Sequence, residues 1–234
     1  MKRYMDLVFG LRSVSRLIGF ELVMLIAGKR SGALGLLLRR KMFPWILGSV
    51  GKNVVFGSGI TLRHPHKINI SDGVVIDDNV MLDAKGETNK GIELKDSVFI
   101  GRNSILSCKN GNILMQKNAN LGFNCVLSTT NSINIGADNI IAAYAYIVGG
   151  GNYKIDNIDT PIREHYDYQG RGGVVTGENV WIGAHVTVLD GVSIESGCVI
   201  GAGSVVSKSL ESNSVATGSP AKVIRTRGLN QSVL

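Results

Sequence analysis

Between Thr176 and Val206 the chain keeps a six-residue beat: Thr176, Ile182, Val188, Ile194, Ile200 and Val206 are evenly spaced. An α-helix repeats its buried face every ~3.6 residues and a strand every ~2, so neither accounts for this period. A hexapeptide repeat does, and it signals a parallel β-helix. The beat runs upstream as Val50, Phe56 and Leu62, then Ile70, Ile76 and Leu82, then Leu94, Ile100 and Leu106. Met115, Leu121 and Leu127 follow, then Ile135, Ile141 and Ile147. These seven triplets predict about seven coils of three faces each, with the slippages between triplets absorbed at corners.

Two further columns share the frame. Three residues after a marked position stand Asn53, Gly59, Gly73, Asn79, Asn103, Asn118, Asn124, Gly150, Asn179, Gly191, Gly197 and Gly203. Gly and Asn adopt left-handed backbone angles at low cost, so sharp corners belong there. One residue on come small apolar residues, among them Val54, Ala119, Cys125, Val180 and Cys198, which suit the inside of a corner.

The formal charge of +7 is concentrated at one end. Residues 1–49 carry nine Lys or Arg against Asp6 and Glu21, and the rest of the chain is neutral. On a helical wheel Leu7, Leu11, Val14, Ile18, Leu22 and Leu25 share a face opposite Arg12, Ser13 and Arg16. Ala33–Leu38 then meets the basic triplet Arg39, Arg40 and Lys41, and Pro44 ends the helix. Two readings stay open for this arm: packing on the coils or a neighbouring subunit, and lying on an anionic membrane surface. Nucleic-acid binding is disfavoured, because the cations have no interleaved stacking aromatics.

Three cysteines, Cys108, Cys125 and Cys198, form no CxxC and read as buried thiols in a reducing compartment. No apolar run approaches the ~18 residues that span a bilayer, and no signal-peptide pattern is present, which predicts a cytoplasmic protein. Expected units are the arm at 1–49, the coils at 50–212 with an inserted loop at 148–175, and a tail at 213–234. A loop of that length inside a regular stack points to function.

The run from Asn179 to Arg227, with WIGA, VIGAGSVV and GSPAKVI, resembles the left-handed β-helix acyltransferases. That group includes galactoside, maltose and polysaccharide O-acetyltransferases and xenobiotic acetyltransferases. The likeness extends upstream to about residue 50. It implies left-handed coiling, a homotrimer with active sites between subunits, and acetyl-CoA as co-substrate. Gly183, Ala184, Gly201 and Ala202 match the positions beside the pantetheine. Ser207, Lys208, Lys222 and Arg225 match those flanking the nucleotide, where cations pair with phosphates. Trp181 matches an aromatic bordering the transfer site. Asn124 matches an Asn near the acceptor, and serving only its own turn is the competing reading.

Acyl transfer to a hydroxyl needs a base, and the resemblance puts a His directly after a Gly run in the long loop. Here Gly149, Gly150 and Gly151 are followed by Asn152 and Tyr153. A phenol of pKa ~10 is a poor acceptor at neutral pH. His165 in the same loop is the replacement candidate, with Glu164 or Asp167 to orient it; a solvated loop His is the plainer reading. His185 reads as an outward corner residue, and His64 and His66 as contacts to a neighbouring subunit. No three His converge in the pattern a zinc site needs, so no metal is expected. The expected function is acetyl-CoA-dependent O-acylation of a sugar hydroxyl on a surface polysaccharide or its precursor. The alternative is a catalytically impaired homologue that binds CoA, sugar or a partner.

Overall fold

The computed structural model describes residues 2–151, 153, 155–165 and 170–228. From Ser49 the chain winds a triangular prism whose faces are three parallel sheets. The first face stacks seven strands from Ser49–Val50 to Ser193–Ile194, and the third stacks seven from Thr61–Arg63 to Val205–Val206. The second runs from Val55–Phe56 through Trp181–Ile182 and Val199–Ile200 to Ser214–Thr217, where the antiparallel strand Lys222–Thr226 closes it. Seven full coils and the start of an eighth result, a β-solenoid consistent with the left-handed β-helix that the resemblance implies.

The six-residue frame is realised rung by rung. On the second face Phe56 pairs with Ile76, Ile76 with Ile100, and onward through Leu121, Ile141, Ile182 and Ile200. All seven of these side chains are at most 1% exposed. Burying each aliphatic chain contributes about 1.5–3 kcal/mol, and a coil collects that only from its neighbours. All twelve Gly and Asn corner positions have positive φ, as their column predicts. Thr176 is the one polar residue of the frame, and it is buried. Its hydroxyl accepts from the amide of Gly136 at 2.9 Å and from Asn139 Nδ2 at 2.6 Å, while Asn139 Oδ1 accepts from the amide of Val180. The polar pair is therefore satisfied inside the core.

The arm covers the lower end of the prism. Helices Val14–Val23 and Gly32–Met42, with π-helical turns at Met5–Phe9 and Met24–Gly28, pack on the first coil. The packed side is not the face singled out by the spacing. Leu17, Phe20, Val23 and Ala27 are buried, whereas Leu7, Val14, Ile18, Leu22 and Leu25 are 40–82% exposed. The first helix is apolar on both sides, and Phe20, its ring tilted 43° against that of Phe9 at 5.7 Å, takes the inner place. Arg39 is separated from the other two cations of the basic triplet, which are exposed. It is 3% exposed and donates to the carbonyls of Phe56 at 2.9 Å and Ala27 at 3.0 Å, pinning both helices to the first coil. Burial lowers its pKa from the ordinary guanidinium value.

His64 and His66 lie beneath this arm. The amide of His64 donates to the carbonyl of Val8, and its Nε2 stands 3.1 Å from the carbonyl oxygen of Asp6. The expectation that they meet a neighbouring subunit gives way to a contact within the chain.

Candidate functional site

Each strand of the second face steps onto the third through a tight corner. In the fourth to seventh coils that corner residue is Asn124, Tyr144, His185 and Gly203, all with φ between 56° and 71°. Gly183 and Ala184 precede the sixth-coil corner, and Gly201 and Ala202 the seventh. Trp181 points outward from the same edge at 55% exposure, paired with Ile140 below and Val199 above.

The two glycines are required by the stack whatever else they serve. A Cβ on Gly183 would lie 2.7 Å from the Ala202 amide nitrogen, and one on Gly201 would lie 2.8 Å from Thr217 Oγ1. The amides of Gly183, Gly201 and Gly203 donate to the carbonyls of Ile200, Ala216 and Ala184 at 2.8–2.9 Å. Among the described residues, no acceptor is hydrogen-bonded to the amides of Ala184 and Ala202. Ala202 is exposed, and a Cβ on Gly203 would meet nothing within 4 Å. The corner therefore offers two amides, open space and a broad aromatic edge to a thin, amide-bearing chain.

Below the opening runs a ladder of rings that the spacing did not reveal. Arg102 sits 4.9 Å over Phe123, Phe123 meets Tyr144 edge-on at 5.5 Å, and Tyr144 stacks on His185 at 4.8 Å with planes 3° apart. The available signal was the corner column itself, where Tyr144 and His185 replace Gly or Asn at left-handed angles. Such angles cost a bulky residue of order 1 kcal/mol and persist where neighbours over-determine them. Asn124 occupies its corner with its amide on the carbonyl of Arg102.

The loop at 148–175 leaves and returns at a different corner, between the third and first faces. At its root the carbonyl of Gly149 accepts from the Thr129 hydroxyl and from the amides of Thr130 and Asn131. Buried Asp190 takes the amides of Arg171 and Gly173 at 2.7 and 2.9 Å. Within the loop a short 3-10 turn, Ile162–Glu164, leads to His165, whose Nε2 lies 2.6 Å from Thr160 Oγ1. Thr160 is thus a ring partner that the sequence reading omitted, and Asp167 lies outside the described residues. Tyr153 is 49% exposed.

Trp181, Gly183, Ala184, Gly201, Ala202 and Asn124 thus share one corner. Ser207 and Lys208 follow the third-face strand Val205–Val206, and Lys222 and Arg225 lie opposite Thr217 and Val215 on the closing strand. The loop roots stand one face away from the Trp181 corner, roughly 20 Å over six residues at about 3.3 Å each. A single chain does not join its loop root to that corner.

Burial pushes the Cys108 thiol up to about 12 and raises those of Cys125 and Cys198, so none is poised as a nucleophile. Among the described residues no cluster of three His, Cys, Asp or Glu side chains could hold a metal ion.

Residues 173–208 match a family described as bacterial transferase hexapeptide (six repeats). A Mycobacterium tuberculosis protein named as a probable acetyltransferase is 31% identical over 196 residues, covering 83% of this chain; the chain spans 62% of that relative's length. Solved structures share the fold. A polysialic acid O-acetyltransferase aligns with a TM-score of 0.59 at 20% identity, over 80% of this chain and 92% of its own. A Bacillus cereus N-acyltransferase, solved with dTDP and coenzyme A, aligns at 0.54 with 24% identity, over 77% and 85%. The matching residues 173–208 are the last two full coils of a prism whose five earlier coils repeat the same unit, and the chain is similar to bacterial hexapeptide transferases there.

Proposed function

We propose that the protein transfers an acyl group, acetyl in the simplest case, from coenzyme A to a sugar hydroxyl of a surface polysaccharide or its precursor. The observation that carries this reading is the corner at Trp181, with the amides of Ala184 and Ala202 available beside open space at Gly203. Pantetheine carries two amides on a narrow chain, and its carbonyls would accept from those N–H groups. Ser207, Lys208, Lys222 and Arg225, all exposed, would face the nucleotide phosphates. The relatives' names support the chemistry: one is a polysialic acid O-acetyltransferase and another was solved with coenzyme A.

The reading includes a homotrimer, in which one copy's loop meets the next copy's corner. Its support is the distribution of outward side chains. The outward column of the first face reads Asn69, Glu93, Leu114, Asn134, Val175 and Ser193, whereas that of the second reads Val75, Phe99, Asn120, Ile140 and Trp181 and that of the third Met81, Ile105, Val126, Tyr146 and Thr187, so the second and third are the more apolar. On the loop, Ile155, Ile158 and Ile162 are 69%, 92% and 55% exposed. Apolar surface so arranged suits burial against identical subunits.

In the reaction the acceptor oxygen bonds to the thioester carbonyl carbon, the carbon–sulfur bond breaks, and the hydroxyl proton passes to His165 and on to the departing thiolate. Thr160 orients the imidazole, and Asn124 and Tyr153 border the acceptor. A cytoplasmic location fits the three buried free thiols. The test is thiol release from acetyl-CoA with a panel of sugars. His165→Ala should lower turnover about 10²- to 10⁴-fold, the usual range for a general base. If the parent is nearly inactive and Tyr153→His restores turnover, the chain is instead an impaired homologue that keeps the fold and the binding corner.

A further inference from the structure

The arm turns outward an apolar surface that neither the coils nor the proposed chemistry uses. Opposite the buried Leu17, Phe20 and Val23 stand Val14, Ile18, Leu22 and Leu25, exposed by 63%, 55%, 50% and 82%. On the second helix, Leu34 and Leu37 are 58% and 53% exposed, away from the buried Gly35 and Arg39. Exposed cations frame this stripe, Arg12 before it, Lys29 and Arg30 at the bend and Lys41 beyond, and outnumber the exposed Glu21 that stands among its residues; Arg40 instead reaches Asn53 on the first coil at 3.5 Å. Among the described residues, the arm's one ion pair is Arg12 with Asp6, long at 3.8 Å and open to water.

We propose that this surface rests on an anionic lipid bilayer, with the stripe at the acyl boundary and the cations among the headgroups. Charge selects the occupant. A second copy meeting the same face would bring together two surfaces on which Arg12, Lys29, Arg30 and Lys41 outnumber Glu21, whereas anionic headgroups neutralise that excess. Length and anchoring select the pose. The run from Val14 to Gly28 is about 22 Å long at 1.5 Å per residue, short of the ~30 Å hydrocarbon core. No helix of the described residues is long and apolar enough to cross a membrane. The inner side of the run is fixed to the prism, so it lies flat and buries only its outer side, as interfacial helices do. The surface is also the reverse of the one a soluble cap would present, since solvent-facing helix sides are normally polar.

The test uses the full chain without substrates, so its failure would leave the acyl-transfer reading standing. Protein is sedimented with vesicles of phosphatidylcholine alone and of phosphatidylcholine with phosphatidylglycerol, at low and high salt. Binding to the anionic vesicles, weakened by salt, is expected. Lys29→Gln with Arg30→Gln should lower the partition coefficient about thirty-fold, at roughly 1 kcal/mol per basic residue. Leu25→Glu should abolish binding while leaving the melting temperature unchanged, because residue 25 is 82% exposed. Equal binding to neutral vesicles, or unaltered binding by Leu25→Glu, overturns the proposal. So does light scattering in which Leu25→Glu breaks a larger assembly in the absence of lipid, since a protein surface would then be the occupant.

Discussion

At Gly10 a single methyl group decides whether the arm can close on the prism. The residue holds φ at +78°, and a Cβ there would lie 2.5 Å from His64 Nδ1 and 2.7–2.8 Å from two ring carbons. The imidazole cannot retreat, because its amide is bonded to Val8 and its Nε2 stands by Asp6. Gly10→Ala should therefore cost about 1–3 kcal/mol, the usual penalty for overpacking, felt mainly by the arm. Faster proteolysis of residues 1–30 with an unchanged melting transition of the coils is the expected readout; an arm as resistant as the parent's would refute it. None of this was legible in the sequence, since no local pattern tells that Gly10 and His64 meet across 54 positions. The corner residues were legible because their requirement is local. Asn53, Asn103 and Asn179 announce a left-handed angle without help from the rest of the chain. His185 was legible as an outward corner, but Tyr144 and the stacking of the two rings were not, because that contact joins successive coils and leaves no local pattern.

At the scale of elements, the arm's docking depends on two imidazoles kept neutral. Burial holds the pKa of His64 and of His66 below the ordinary value of about 6.5. The Nδ1 atoms of both are buried without a hydrogen-bond partner. Lys67, Lys85 and Arg16 around them oppose protonation, and Asp83 and the carbonyl of Asp6 offset this in part. With the folded pKa lower than the unfolded one, the undocked arm binds protons first as pH falls through about 6.5. The docked state is thus fully stabilised above that value and loses stability below it. Hydrogen exchange measured at pH about 7.5 and about 5, corrected for intrinsic rates, should show residues 5–27 losing protection while the strands from Val55 onward keep theirs. Equal protection of the arm at both values would contradict the assignment. His64→Gln should flatten the dependence. The existence of two helices was readable from apolar periodicity and from Pro44, which lies in the 3-10 turn Phe43–Trp45 that ends the second. Their inner faces were not, because Val14, Ile18 and Leu22 compete with Leu17, Phe20 and Val23 at the same helical spacing. Shape against the first coil broke the tie.

For the whole molecule, the separation between the loop root and the Trp181 corner yields the strictest test of the proposed trimer. If one copy's loop serves the next copy's corner, two different defects can complement each other. His165→Ala chains lack the base but keep an intact corner, and Trp181→Ala chains keep the base but lack the aromatic wall. Mixed and reassembled at equal amounts, the chains associate at random around the three-fold axis. A site is then intact only where a Trp181→Ala loop meets a His165→Ala corner, which happens at about one site in four of a closed ring. Activity near a quarter of the parent's is therefore expected from two preparations that are each nearly inactive. A site confined within one chain would give no recovery, because every chain in the mixture carries one lesion. The geometry explains why this level was the least legible of the three. The repeat determines how a coil stacks on its neighbour, and the rungs followed it residue by residue. The proposed trimer rests instead on outward side chains such as Ile140, Tyr146 and Ile158, whose exposure emerges once the prism is closed. The loop adds residues of no fixed period, so the beat does not dictate where it goes.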